Sequence, residues 1–153
     1  MTSQVSVSNT TPQEAIDHFT NKLPLPTTRW DQVVGDIRAK AFTVAGATKM
    51  GILHDLQAGI ERAISEGTTL AEFQETFDQV VEEVGWSYKG SRQWRTALIF
   101  NNNVRSSYLA GRWQQYQRAK ATRPFLGYFT VGDGRVRDQH RVWHATVLPV
   151  DDP

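Results

Sequence analysis

Two histidines four residues apart, His140 and His144, stand near the end of the sequence with Asp133, Arg135 and Arg137 just before them, in the stretch GDGRVRDQHRVWH. Imidazoles at i and i+4 share one face of a helix and can share a metal ion. The protease form of that motif needs glutamate directly after the first histidine. Here Arg141 stands there, a cation that repels a metal, and nothing in the sequence holds Asp133 or Asp151 nearby as a third ligand. A second chemistry is a nuclease-like centre, with His140 as the base and Arg135 and Arg137 as phosphate ligands beside Asp133. The sequence names no nucleophile or substrate for it. The third reading is structural: Asp133 pairs with the arginines around a turn, and His140 caps backbone carbonyls. The residues favour this third reading, with no catalytic residue, metal or cofactor expected and a nuclease or DNA-binding module using the His140 and arginine cluster as the alternative.

A second group of residues suits the binding of an anion. Arg95, Arg105, Arg112 and Arg118 are interleaved with Trp94, Tyr108, Trp113 and Tyr116, which fits phosphate contact with aromatic support. It fits equally a helix that docks on an acidic protein surface, such as residues 72 to 83 of another copy. Aromatic residues at helical spacing are more often core, so Trp94 and Tyr108 are expected inside, with Trp113 left open. No glycine-rich phosphate loop is present, and no nucleophile-elbow sequence frames a serine. His18 and His54 are expected to be solvated or capped.

These groups must be positioned by the elements of a chain of 153 residues, 39% hydrophobic and 22% charged, without cysteine. That length suits one domain with a single core, and the composition is that of a globular chain with no disulfide or thiolate ligand. The net charge of +1 hides a division: residues 1 to 84 carry a net −6 and residues 85 to 153 a net +7. Such asymmetry points to an anionic partner for the second half, or to charge-matched packing between copies. No secretion signal or membrane-spanning stretch is expected.

Residues 1 to 10 read as a flexible leader, followed by a helical region, 11 to 123. Thr11 and Pro12 mark a helix start, with the helix running to about Leu23 before Pro24 and Pro26. A helix over 30 to 42 would place Trp30, Val33, Val34, Ile37 and Ala41 on one face. A third, from about Lys49 to Ser65, buries Ile52, Leu53, Leu56, Ile60 and Ile64. A fourth, capped by Thr68 or Thr69, turns Leu70, Phe73, Phe77, Val80, Val81 and Val84 inward and stops at Gly85. The longest periodic stretch, about 91 to 121, puts positions 94, 98, 101/104, 108 and 116 on one side; as a helix it spans roughly 45 Å. Part of it is therefore expected to project or to pack against a neighbour. From Pro124 the pattern alternates like strands, up to the Gly132-Asp133-Gly134 turn, and 138 to 145 suit one or two helical turns. The class is mainly α with a small C-terminal β element (α+β), the segment 124–153 forming a hairpin-like clasp within the same domain.

The order of AKAFTVAGATKMGILHDLQAGIERAISEGTTLAEF, RTALIFNNNVRSSYLAGRW and YFTVGDGRVRDQHRVWHATVLPVDDP resembles the phage Mu F-like minor head proteins, or phage head morphogenesis proteins, over about residues 30 to 153. Asp133, Arg135, Val136, Arg137, His140, His144 and Asp151-Asp152 match the pattern of the family's last element in order. Asn101-Asn102, Tyr108 and Gly111-Arg112-Trp113 resemble its helix of the form T-N-x-x-x-A-x-x-x-G-R. The resemblance implies a non-enzymatic minor capsid protein of a tailed phage, acting in head assembly and in DNA packaging or delivery. It implies the portal or other capsid proteins as partners, with phage DNA and self-association besides, no membrane, and a place in the virion or, during assembly, the host cytoplasm. Two departures stand out. Ala145 replaces a glycine usual in the family, so a positive-φ turn is not expected there. The sequence stops at Pro153, before the family's usual Cys-Arg-Cys segment, so a metal site shared between His140 and those cysteines is not expected.

Overall fold

A computed structural model describes residues 13–152, without the side chain of Trp30. The leader and the helix-start signals at Thr11 and Pro12 lie outside the described residues. Among the described residues six helices, two small two-stranded sheets and a 3-10 turn follow one another in the order helical first, mixed last, the α+β class expected. Cα proximity groups the residues into two units, Met1–Gly111 and Arg112–Pro153.

In the first unit α1 (Gln13–Thr20) buries Ala15 and Phe19. It ends before Leu23: the last turn tightens, the Lys22 backbone donating to the Phe19 carbonyl at 2.9 Å, and the Asn21 side chain donates to the Asp17 carbonyl at 2.7 Å. β1 (Leu23–Pro24) then runs parallel to β2 (Ala41–Phe42). The single helix expected over 30 to 42 does not form. A 3-10 turn (Trp30–Gln32) and α2 (Asp36–Lys40) are separated by Gly35 at φ +62°. Glycine takes that φ without steric cost, and the reversal rotates the apolar face away. Val33 and Ala41 remain buried, but Val34 and Ile37 are 68% and 61% exposed.

The two central helices follow their apolar periodicity. α3 (Met50–Ser65) buries Ile52, Leu53, Leu56, Ile60 and Ile64. α4 (Leu70–Val84) buries Phe73, Phe77 and Val80, with Leu70, Val81 and Val84 half-buried against the same core. Its start is a capping box: Thr69 accepts from the Glu72 backbone at 3.3 Å while the Glu72 carboxylate accepts from the Thr69 backbone at 2.6 Å. The bond from the Thr69 backbone, and after it one from the Thr69 hydroxyl at 2.8 Å, hold the Glu72 carboxyl below the usual carboxylate range. Gly85 ends the helix in the left-handed region, at φ +64°. Trp86 and Tyr88 then fold back onto Phe77, with ring centroids 5.6 and 5.0 Å away, and the Trp86 indole donates to the Gly46 carbonyl at 3.0 Å.

α5 (Arg92–Ala119) runs without a break through Gly111. Its buried residues are Arg95, Thr96, Ile99, Ser107 and Gly111, a different face from the one expected. Trp94, Leu98 and Tyr108 are exposed. Hydropathy misses the buried stripe because its hydroxyls are satisfied inside the helix. Thr96 donates to the Arg92 carbonyl and Ser107 to the Asn103 carbonyl, both at 2.8 Å, which removes most of the cost of burying them. Gln74 of α4 also donates to Thr96 at 2.9 Å. At Gly111 the backbones close up: a Cβ there would stand 2.8 Å from the Ala15 nitrogen and 3.2 Å from its Cα.

Two outcomes follow for the first unit. Gly111→Ala forces α1 from α5, and overpacking of about 1–3 kcal/mol exceeds the helix-propensity gain of up to about 1 kcal/mol. Urea unfolding is expected to show a net loss of stability with an unchanged m-value. Burial first, then Lys22, holds His18 below the ordinary imidazole value. The folded chain therefore takes up that proton less readily than the unfolded chain, and stability is lost as pH falls through the unfolded value of about 6.5 toward the folded one. His18→Gln is expected to flatten this decline, measured by urea unfolding above and below that window.

Candidate functional site: the C-terminal clasp and the basic helix

The second unit is built around β3 (Phe125–Tyr128), antiparallel to β4 (Thr146–Pro149), with Tyr128 opposite Thr146. The strand entering the Gly-Asp-Gly turn is thus not paired with the segment that leaves it. Residues 129 to 145 connect the two strands and contain both that turn and α6 (Asp138–Val142). Gly132 supplies a positive φ of 74°. Asp133 then folds onto Arg135: the Arg135 backbone donates to Oδ1 at 3.0 Å, and its Nε and Nη2 donate to Oδ2 at 2.9 and 2.6 Å. Arg137 starts α6, its carbonyl accepting from the His140 and Arg141 backbones at 2.9 and 3.0 Å.

The two imidazoles diverge in their bonding. His140 Nδ1 lies 2.7 Å from the Tyr128 hydroxyl, and the two rings stack at 6.2 Å with 20° between their planes. Trp143 stands edge-on to both. His144 Nδ1 accepts from the Thr130 backbone at 3.1 Å and lies 2.8 Å from the Thr130 hydroxyl, with Phe129 edge-on to its ring. A backbone N–H only donates, so His144 Nδ1 is bare and the ring proton sits on Nε2. His140 of α6 therefore fastens to a side chain of β3, where a backbone carbonyl was expected. Among the described residues no three of His, Asp and Glu are placed to hold a metal.

Ala145 overturns an expectation. Its φ is +64°, the positive-φ turn that alanine was expected to forbid. The turn brings the Ala145 N–H to the Tyr128 carbonyl at 2.8 Å, one residue before β4 begins. Pairing at the head of the sheet, with His144 held by Thr130, over-determines the strained residue. At the other end Lys120 pairs with Asp151, and Val150, 2% exposed, donates to the Pro124 carbonyl at 2.8 Å.

The residues of the basic helix are not gathered in one place. Arg95 is 8% exposed, its Nη2 bonded to the Ala45 carbonyl and its guanidinium 5.5 Å from the Trp86 ring centre. Arg105 belongs to the first unit and is exposed; Arg112, Trp113 and Arg118 belong to the second and are exposed. A cleft of about 400 Å³ in the second unit is lined by Tyr128, Thr130, Arg135, Arg137 and His140 among others. Of these, sequence reasoning missed Tyr128 and Thr130. Their alternation along a strand was legible, but which side chain would meet an imidazole from a later helix was not.

Residues 54–153 match the family described as phage Mu protein F like protein. The chain is 36% identical over 92% of its length to "Putative capsid assembly protein F" of Escherichia phage Mu, covering 35% of that protein. It is 30% identical over 83% of its length to the Mu-like prophage FluMu F protein of Haemophilus influenzae, covering 33% of it. It thus spans about a third of the curated relatives it matches. No solved structure matches it significantly.

The strain at Ala145 is open to measurement. Left-handed φ costs an L-residue about 1 kcal/mol relative to glycine. Ala145→Gly is expected to raise the urea midpoint by that order, whereas Ala145→Val, branched at Cβ, lowers it.

Proposed function

The chain belongs to the phage Mu protein F like family, and on that footing we propose that it acts in head morphogenesis of a tailed phage, as a minor capsid protein that binds the portal or other capsid proteins. The observation that carries the reading is the identity with the Mu protein across nearly the whole chain. The geometry supports it in two ways. The clasp directs its charged and imidazole groups toward one another: both Asp133 oxygens toward Arg135, and each histidine Nδ1 toward a hydroxyl. A nuclease would instead hold such groups ready for substrate. The second unit also exposes Phe125, Phe129, Val131, Val142, Trp143 and Val147, an apolar surface suited to a protein partner. Phage DNA is a second anionic partner for the basic half, and the site of action is the virion, reached through assembly in the host cytoplasm.

Incorporation into heads tests this. Phage carrying Val131→Ser or Val142→Ser, the most exposed of these side chains, are expected to yield fewer filled heads and less of this protein per particle by mass spectrometry. The same variants should melt within a few degrees of wild type. Unchanged incorporation would sink the partner surface. Purified protein incubated with plasmid DNA and divalent metals separates the rival: cleavage that disappears in His140→Ala would establish a nuclease instead.

A further inference from the structure

The first unit contains a cleft of about 480 Å³ between the segment Ala41–Ala45 and the exposed edge of α5. Its polar lining comprises the cations Lys22, Arg38 and Arg95 and the neutral Thr43, Asn102, Asn103 and Ser106. None of the described residues that line it is acidic or aromatic.

Arg95 is the anomaly. A guanidinium is charged at all relevant pH, and burial of a charge is costly unless an opposite charge meets it. Arg95 is 92% buried by the exposure given above, yet its Nε has no hydrogen-bond partner. Its guanidinium meets neutral groups, the Ala45 carbonyl and the Trp86 ring. Both offset part of the cost, but neither replaces a counter-ion. Lys22 lies half-buried on the same cleft. Burial lowers the proton affinity of both side chains below the ordinary value for each type.

We propose that this cleft receives a carboxylate carried on an acidic, partly apolar segment of a partner protein. The cations and the Asn102, Asn103 and Ser106 side chains supply donors for an oxyanion, and a guanidinium fork matches a carboxylate. Ala41, Val44, Leu98 and Ile99 line the remainder, where the aliphatic stem of a glutamate and its apolar neighbours would lie. Nucleic acid fits less well. A duplex presents phosphates on a broad convex surface, which a cleft of this size with its cation nearly sealed inside does not admit. A single strand is ordinarily held by stacked aromatic rings, and here there are none. The inference deepens the assembly reading by naming the chemistry that a head protein would bring.

Fluorescence anisotropy with the purified chain tests it, using as probe a labelled, end-capped peptide of alternating Glu and Leu. Inorganic phosphate and a single-stranded thymidine oligonucleotide serve as competitors at matched ionic strength. Saturable peptide binding is expected, weakened about tenfold in Arg95→Met and in Lys22→Met, and untouched by either competitor. Lys22→Met alters a half-buried side chain outside the core, so it remains informative if Arg95→Met fails to fold. Absence of peptide binding to wild type, or binding equal in the folded variants, overturns the proposal. So does displacement by phosphate or by the oligonucleotide, which would make the cleft a general anion or nucleic-acid site. No phage particle enters the measurement, so its failure leaves head assembly standing, and failure of head incorporation leaves the cleft's binding standing.

Discussion

The first unit depends on how α5 is allowed to be buried. A helix face with a guanidinium, two hydroxyls, one isoleucine and a glycine would be a poor core element if its polar atoms stayed unsatisfied, at about 1–3 kcal/mol for each unpaired group. Thr96 and Ser107 avoid that cost by bonding carbonyls three or four residues back in their own helix. The stripe also stays narrow, which is what permits the Gly111 backbone to meet α1 at Ala15. A leucine on that face would bury more apolar area but hold the helices apart. Close approach is the alternative route to dispersion energy, and the aromatic core of Phe19, Phe42, Phe73 and Phe77 supplies the apolar volume elsewhere.

The same choice explains what the sequence made legible. α3 and α4 bury conventional apolar stripes between clear stops, so their limits and inward residues could be read directly. Over residues 30 to 42 the spacing was equally regular, but Gly35 takes a positive φ there that spacing does not encode. In α5 the largest apolar side chains, Trp94 and Tyr108, lie outside, because internal bonding makes small polar residues cheap to bury. No hydropathy argument carries that information. Gly111 lies within the unbroken helix as a point of close contact with Ala15.

In the clasp, the sequence yielded the local pairing of Asp133 with Arg135, two residues apart, because an aspartate in a tight turn bonds forward along its own backbone. It did not yield the partners of His140 and His144. Those are Tyr128 at the end of β3 and Thr130 just beyond it, more than ten residues earlier, in a register that only the pairing of β3 with β4 fixes. Ala145 shows why sequence rules for single residues fail in such a place. The conformational penalty is real, but a hydrogen bond to Tyr128 and the start of β4 together outweigh about 1 kcal/mol.

Energetic bookkeeping separates the two units in kind. About forty residues are too few to sustain a core unaided, and in the second unit Val150 is the buried apolar side chain among the described residues. Its ring contacts and side-chain hydrogen bonds contribute about 0.5–1.5 kcal/mol each, and many are exposed. Such a unit has little stability to spare for a reactive centre held under strain against solvent. What it has in excess is apolar surface, and covering that surface would add about 25 cal/mol for every Å² removed from water. A clasp whose polar groups hold one another, while its valines and aromatic rings face outward, would gain further stabilisation from a partner that covered it. That is the energetic profile of an assembly element, and it is the physical ground on which the proposed place in the phage head rests.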